Sequence, residues 1–219
     1  DEILAAHPEL GSRIYRYIGG SELVNSPMHM PHRWVIFLSD LRDEVELKPF
    51  LPLVEVVRQK VKPYRDSLPD TPVNRPLKRR WWAYQAHRPE FYEAIKEKTR
   101  ILAASKVSAY LSFAFLPTGM IYSQKLIVMN LDGYASFGTL QSRIHEEWVR
   151  FCGGTRGDGF SYTPSDCFET FPFPESWENH PVIEAAGKAY YEFRAALMVR
   201  TDEGLTRTYN RFHDPDERD

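Results

Sequence analysis

The sequence predicts an α+β fold, in which a mixed or antiparallel sheet with packed helices precedes a small C-terminal helical segment. In the middle of the chain, short apolar runs alternate with tight turns at Pro117-Thr118-Gly119 and Asp132-Gly133. Later segments place apolar residues at helical spacing. The 219 residues are 42% hydrophobic, which is enough for a packed core without disulfides.

The first part of the chain mixes strand and helix signals. Residues 13–18 read as a short strand, and the nearly continuous apolar run at 33–39 predicts a buried strand. Helical spacing of apolar residues predicts a helix over 50–61. Four prolines in residues 62–76 predict a loop.

The middle of the chain predicts most of the sheet. Residues 81–86 read as a strand, and residues 89–98 as a short helix with a proline at its first position. Further strands are expected within 109–116, 120–123 and 125–131.

Two long helices are expected towards the C-terminus. The first covers 136–154, starts at a capping Ser136 and carries an apolar stripe of Phe137, Leu140, Ile144, Trp148 and Phe151. The second covers 180–200, with a stripe of Val182, Ala186, Tyr190, Phe193 and Leu197. A short third helix is expected at 204–212.

The segment between the long helices, residues 160–175, reads FSYTPSDCFETFPFPE. Its closing Phe171-Pro172-Phe173-Pro174 excludes a helix and a central strand, because each proline lacks a backbone donor. We expect an extended strap that its phenylalanines anchor in the sheet domain.

The charge is balanced overall but uneven along the chain. The net charge of −2 gives no sign of a polyanionic partner, whereas residues 74–106 hold nine Lys and Arg against three Glu. The stretch 74–85, NRPLKRRWWAYQ, joins cations to aromatic residues and to the amides of Asn74 and Gln85, a pattern that suits nucleic-acid contact. The alternative is a solvated basic loop followed by a core strand, with at least one of Trp81 and Trp82 facing inward.

No catalytic site is assembled by sequence motifs. The stretch FCGG (151–154) follows a helix and not a strand, so it does not match the glycine loop that binds S-adenosylmethionine, and Asn-Pro-Pro-Tyr/Phe is absent. The stretch IHEEW lacks the second histidine of a zinc protease. Cys167 with His145 stays open as a nucleophile–base pair, and His29 with His32 as a soft-metal site. The two cysteines favour a reducing, cytoplasmic compartment, and no apolar run is long enough to span a membrane.

Three motifs carry a family resemblance. Trp81-Trp82 is followed by Arg-Pro-Glu-x-Tyr at 88–92, Leu-x-Ser-x-x-His-x-x-Trp occupies 140–148, and Tyr-Thr…Cys-Phe…Phe-Pro-Phe-Pro occupies 162–174. In this order they resemble the C-terminal region of MmeI-like (type IIL/IIG) restriction–modification enzymes and their orphan methyltransferase relatives. The resemblance covers nearly the whole chain.

The resemblance implies which domain of the whole enzyme performs each function. In that family a nuclease segment and an adenine-N6 methyltransferase domain, which uses S-adenosylmethionine, precede this region. Residues 1–174 would be the target recognition domain, with 1–25 arriving from the methyltransferase domain, and 175–219 a C-terminal helical segment joined by the strap. The chain itself would hold no cofactor and no catalytic residue.

The expected partners are therefore double-stranded DNA and the preceding methyltransferase domain, with no membrane. The region would recognise a DNA sequence and position the target adenine for methyl transfer. The residues expected to contact DNA are Arg75, Lys78, Arg79, Arg80, Gln85, Arg143, His145 and Arg156. Two alternatives remain: a protein-interaction module of a modification complex, and a small hydrolase using Cys167 and His145.

Overall fold

The structure, a computed structural model, describes residues 2–156 and 159–217; of Thr155 and Arg156 it describes the backbone. The helices are α1 (Glu2–Ala6), α2 (Gly20–Asn25), α3 (Leu51–Lys60), α4 (Lys62–Ser67), α5 (Asn74–Arg79), α6 (Pro89–Ala94), α7 (Tyr134–Leu140), α8 (Arg143–Cys152), α9 (Pro164–Cys167), α10 (Pro181–Thr201) and α11 (Leu205–Phe212). The strands are β1 (Ile14–Ile18), β2 (Arg33–Ile36), β3 (Arg100–Ser105), β4 (Val107–Ser108), β5 (Phe113–Pro117), β6 (Ile121–Tyr122), β7 (Leu126–Met129), β8 (Gly154–Arg156) and β9 (Gly159–Ser161). The predicted α+β class is confirmed.

The chain folds into two compact units. The first comprises the described residues up to Arg16 together with Trp34–Glu93. The second comprises Tyr17–Arg33 and the described residues from Ala94 onward. The chain crosses between them inside β1, returns inside β2 and crosses again at the end of α6, so each unit is built from two separate stretches of sequence.

The core of the first unit is built around two adjacent tryptophans. Trp81 and Trp82 are 4% and 5% exposed, and their rings meet edge-to-face at 5.6 Å. They pack with Leu38, Val54 and Val57. The predicted strand at 81–86 is wrong: these residues form a turn, and the turn places neighbouring side chains in the same core where strand alternation would have separated them.

Two further expectations for this unit are corrected. Residues 62–76, expected to be a loop, contain α4 and the start of α5, because Pro63 sits in the first turn of α4, where its missing N–H costs nothing. The run at 33–39 forms only the short strand β2, and its Trp34 is 57% exposed. The helix expected over 50–61 is confirmed as α3.

The second unit is organised around β3. This strand lies at the centre of an antiparallel sheet with the order β5-β3-β7, with Ile101 opposite Leu116 and Ala103 opposite Val128. A second antiparallel sheet has the order β4-β9-β8, and β1 pairs in parallel with β6. Sequence reasoning assigned no element to β3, because its Ile-Leu-Ala-Ala core carries little β-branched or aromatic signal.

The helix predicted over 136–154 is two helices, α7 and α8. Ser142 has an extended backbone and accepts a hydrogen bond from the backbone N–H of His145 at 3.2 Å, which caps α8. Because of this break, α8 does not continue the axis of α7, and the residues of the predicted apolar stripe do not lie on one face. Ile144 and Phe151 are therefore 74% and 85% exposed, while His145 is buried.

The helix predicted over 180–200 is confirmed as α10, but its buried face is rotated by one residue. The core-facing residues are Ile183, Gly187, Tyr191, Arg194 and Met198. Gly187 explains the close approach to α7, since a Cβ there would lie 2.2 Å from the carbonyl oxygen of Tyr134. The expected stripe is one residue earlier at every position, and Val182 and Phe193 are 69% and 68% exposed.

The strap at 160–175 is anchored by its aromatic residues, as expected. Phe171 is buried, and Phe173 packs against the core cluster of the second unit, which includes Phe113, Phe115 and Phe137. Phe173 also stacks on Trp177 with ring centroids 4.2 Å apart. The strap is not extended throughout, because α9 interrupts it. The joint expected at residues 174–175 lies inside the second unit, which also contains α10 and α11.

Candidate nucleic-acid interface

The basic stretch of the first unit places its cations on and just after α5. Arg75 is exposed and forms a bidentate ion pair with Asp70, with Nε–Oδ1 and Nη2–Oδ2 distances of 2.8 and 3.1 Å. The Arg75 guanidinium lowers the pKa of the Asp70 carboxyl, and the charge of Lys78 lowers it less. Because the pair is solvent-exposed, it is a weak restraint that a phosphate can replace.

Arg80 serves the fold. Its Nη2 donates to the carbonyl oxygens of Ser39 and Leu41 at 2.8 and 2.9 Å. The indole Nε1 of Trp82 donates to the same Leu41 oxygen at 3.2 Å. These bonds tie the residues after α5 to the segment that follows β2. Arg80 therefore positions α5, and its guanidinium is committed to backbone acceptors.

Arg65 acts in the same way from α4. Its Nη2 donates to the carbonyl oxygen of Ala83 at 3.2 Å, on the other side of the tryptophan turn. Sequence reasoning missed Arg65 because it placed this residue in a loop. The only available signal was the basic residue two positions after Pro63, which is too weak to predict a structural role.

The polar groups left on the surface are Lys78, Arg79 and Gln85. Arg79 and Gln85 are exposed, and Lys78 is half-buried. Among residues 2–156 and 159–217, none of the three has a hydrogen bond or ion pair that would have to be broken. These are the side chains of the predicted set that the first unit leaves available to a ligand.

The second unit holds the other three predicted contacts in different settings. Arg143 is exposed at the start of α8 and pairs with Glu147 at 2.8 Å and with Glu146 at 3.2 Å. Arg156 ends β8, and its side chain lies outside the described part of the chain. The expectation that these residues border the same cleft as the basic stretch stays a prediction.

His145 is fully buried and cannot reach a duplex, which corrects its place among the predicted contacts. Its Nδ1–H donates to the carbonyl oxygen of Leu140 at 2.7 Å, and its Nε2 accepts from the hydroxyl of Tyr162 at 3.3 Å. Burial lowers the pKa of His145, so the ring is neutral. Its ring packs on Phe171 at 4.7 Å, which joins α8 to the strap.

The same burial argues against a hydrolase. Cys167 is 0% exposed, and burial raises the pKa of its thiol. A nucleophilic cysteine needs a lowered pKa and access to substrate. The buried thiol and the buried neutral His145 provide neither.

His29 and His32, considered as a soft-metal site, each contact a different group. The Nδ1–H of His29 donates to the carbonyl oxygen of Leu23 at 2.7 Å, and His32 lies 3.7 Å from Glu22. Within the described residues no group of three His, Cys, Asp or Glu side chains could hold a metal ion. None of the described helices is both long enough and apolar enough to cross a membrane.

Comparison with known proteins identifies the region. A sequence model of the family "MmeI, target recognition domain" matches residues 1–175. DNA methyltransferase A of Bacillus subtilis (strain 168) is 24% identical over 169 residues, which are 77% of this chain and 18% of that protein. The structure of the type IIL restriction–modification enzyme MmeI in complex with DNA shares the fold with a TM-score of 0.69 at 23% identity, over 99% of this chain and 27% of the MmeI chain. Because the family model covers most of its length, this chain belongs to the MmeI target recognition domain family.

Proposed function

We propose that this chain recognises a specific sequence in double-stranded DNA as part of a longer restriction–modification protein, called the parent protein below. The observation that carries the proposal is the match of residues 1–175 to a target recognition domain. The fold shared with MmeI supports it, since that structure contains DNA. The chain spans 18% of the length of the methyltransferase relative and 27% of MmeI, so both relatives have ample sequence for other domains.

In the parent protein this region would position a target adenine for methyl transfer. The methyl donor would be S-adenosylmethionine, bound by a methyltransferase portion outside this chain. The task of this chain is then to bind the duplex in one register, so that the target base can leave the stack at a fixed place.

We assign the first contacts of the first unit to Lys78, Arg79 and Gln85. The two cations suit phosphate oxygens, and the amide of Gln85 can donate to and accept from a base edge. Arg75 joins them when a phosphate displaces Asp70, because an ion pair this exposed to solvent is only a weak restraint. Arg80 holds α5 in place and does not contact the duplex.

A selection experiment tests the proposal. Duplexes with a randomised core are captured on the immobilised chain, amplified and sequenced, and enrichment of one motif is expected. Affinity for that motif, measured by fluorescence anisotropy, should fall as salt is raised, because phosphate contacts release counterions. A pool without enrichment, together with no salt-dependent binding, would overturn the proposal. Methylation-aware sequencing of host DNA then reports whether the parent modifies the selected motif.

A further inference from the structure

A cavity beside α10 in the second unit combines an apolar lining with a buried positive charge. Its volume is about 240 Å³, and all of its lining residues belong to the second unit. The lining includes the apolar side chains of Met28, Phe115 and Met198 and the polar side chains of His29, Tyr191 and Arg194. Since a cavity of about 150 Å³ can take up benzene, this one has room for a small organic molecule.

Arg194 contributes the charge, and nothing nearby neutralises it. The residue is 3% exposed, and in the described ranges no acidic side chain forms an ion pair with it. Its hydrogen bonds go to neutral acceptors, which are the carbonyl oxygen of Phe113 at 2.5 Å, the hydroxyl of Tyr209 at 3.0 Å and the side-chain oxygen of Gln141 at 3.3 Å. A buried charge is costly unless an opposite charge is paired with it. An anion in the cavity would supply that missing partner.

Hydrogen-bond donors are available for such an anion. The Nε–H of Arg194 and one N–H of its Nη2 have no acceptor among the residues that the structure describes. The hydroxyl oxygen of Tyr191 accepts from the backbone N–H of Phe115 at 3.2 Å, so its own proton can be donated elsewhere. Burial raises the pKa of Tyr191, which keeps that proton in place. The Cζ of Arg194 lies 5.4 Å from the centroid of the Tyr191 ring, so the two groups are adjacent.

His29 responds to the same charge. It reaches the cavity from the segment between α2 and β2, with a backbone φ of 53° that non-glycine residues rarely adopt. Its Nδ1–H donates to the carbonyl oxygen of Leu23 at 2.7 Å. Burial and, second, the charge of Arg194 lower the pKa of His29 to about 4. The electrostatic field that disfavours a second cation here favours an anion.

The chemistry of the lining selects the kind of anion. One unneutralised charge with a few donors matches one carboxylate, which arginine binds through strong charge-assisted hydrogen bonds. A phosphate group presents three oxygens and more charge than these donors satisfy. The remaining lining is apolar and matches a hydrocarbon or aromatic body.

We propose that this cavity binds a carboxylate carried on a small apolar body, with the carboxylate at Arg194 and Tyr191 and the body against Met28, Phe115 and Met198. The site shares no residue with the proposed DNA contacts and does not depend on the proposed function. The carboxylate can belong to a free small molecule or to an acidic side chain elsewhere in the parent protein.

Benzoate is the probe for the site, and benzamide is its uncharged counterpart of nearly the same shape. Calorimetry on the isolated chain at pH 7 should show saturable binding of benzoate, at least about tenfold tighter than that of benzamide, because hydrogen bonds to a charged group are stronger. The ring signals of His29 in nuclear magnetic resonance spectra, assigned by their loss in His29→Asn, should shift as benzoate is added. No saturable binding, equal affinity for benzamide, or equal affinity for inorganic phosphate would overturn the proposal.

Two neighbouring alanines provide a matched pair of variants that leave Arg194 in place. Ala195 lines the cavity, so Ala195→Leu should fill it and abolish benzoate binding. Ala196 is exposed and does not line the cavity, so Ala196→Leu should bind benzoate like the unsubstituted chain. Thermal unfolding checks that each variant is folded, and the comparison of benzoate with benzamide stands even if one is not. A folded Ala195→Leu chain that binds benzoate normally would contradict the assignment to this cavity.

The same titration on the parent protein separates the two sources of the carboxylate. Equal benzoate affinity in the parent and in the isolated chain indicates a site for a free small molecule. Benzoate binding in the isolated chain alone indicates that an acidic side chain of the parent occupies the cavity.

Discussion

The Nη2 of Arg80 donates to the carbonyl oxygen of Leu41 at 2.9 Å, across 39 positions of sequence. Arg79, the preceding residue, is exposed and makes no such bond to any residue that the structure describes. Two adjacent arginines in one basic stretch thus differ completely in what they do for the fold, and this difference leads to opposite expectations for their variants.

Arg80→Ala is expected to lower the free energy of unfolding by about 2 kcal/mol, because it removes charge-assisted hydrogen bonds to two backbone oxygens. Arg79→Ala should stay within about 0.5 kcal/mol of the unsubstituted chain, as surface substitutions usually do. Urea denaturation of the two variants measures both values. Equal stability of the two would show that the Arg80 bonds contribute nothing net.

Arg79→Ala, which is expected to leave stability unchanged, should weaken DNA binding. If Arg79 contacts a phosphate, Arg79→Ala weakens binding to all duplexes alike and lowers the salt slope by about one. If it contacts a base edge, the variant loses roughly 1–3 kcal/mol on the selected motif and relaxes specificity at one base pair. Anisotropy titrations on matched and single-mismatch duplexes at two salt concentrations distinguish these cases. Lys188→Ala is the control cation, and an Arg79 variant identical to it would remove Arg79 from the interface.

The stability of the chain should fall in mild acid, in part because of His29. Burial and, second, the charge of Arg194 lower the pKa of His29 from 6.5 to about 4. Between these values the unfolded chain binds more protons at this position than the folded chain, so stability is lost as pH falls from about 6.5 towards 4. The buried His145, whose pKa is also lowered, acts in the same direction.

His29→Asn should reduce this acid sensitivity, since asparagine tolerates the backbone φ of 53° at position 29 and does not titrate. The measurement is the difference in unfolding free energy between pH 7.5 and pH 5. His7→Gln, at an exposed histidine, is the control variant. A His29→Asn chain with an undiminished difference would contradict this assignment.

Gly187→Ala should destabilise the chain by at least about 1–3 kcal/mol, the usual cost of overpacking. The added methyl group would meet the backbone of Tyr134, which cannot rotate away as a side chain can. Ala186→Leu, one residue earlier and exposed, should have little effect in the isolated chain. Thermal unfolding of both variants by circular dichroism is sufficient, and an unchanged midpoint for Gly187→Ala would show that α7 and α10 separate easily.

The sequence predicted helices better than their orientation. α3, α10 and α11 were found, but the stripe chosen for α10 was one residue off, because both of its faces are apolar and periodicity cannot tell which is covered. In the case of α7 and α8, the hydrophobic pattern ran across a capping Ser142 and concealed the break. The four prolines in residues 62–76 predicted a loop where the structure has α4 and the start of α5, although proline is tolerated in the first turn of a helix.

For the function, too, the sequence predicted the general class but not the details. The family could be identified, because its motifs combine residues that are specific in their order, such as Trp81-Trp82 and the Phe-Pro-Phe-Pro strap. Individual contacts could not be, because a buried His145 and a structural Arg80 look the same in sequence as exposed ones. Only packing separates a cation that supports the fold from one that is free for a ligand.

The two crossings inside β1 and β2 have a consequence for anyone who wishes to transplant the basic helix into a relative. A graft of residues 34–93 would carry most of the first unit but leave behind the stretch that ends at Arg16. Asp40 would then lose its ion pair with Arg13, in which the Nη1 of Arg13 lies 2.6 Å from the Oδ2 of Asp40. Phe37 would lose its edge-to-face contact with the ring of Tyr15, whose centroid lies 5.7 Å from that of Phe37. A working exchange must move both stretches together and join them to the recipient at all three crossings, which lie in β1, in β2 and between Glu93 and Ala94 at the end of α6.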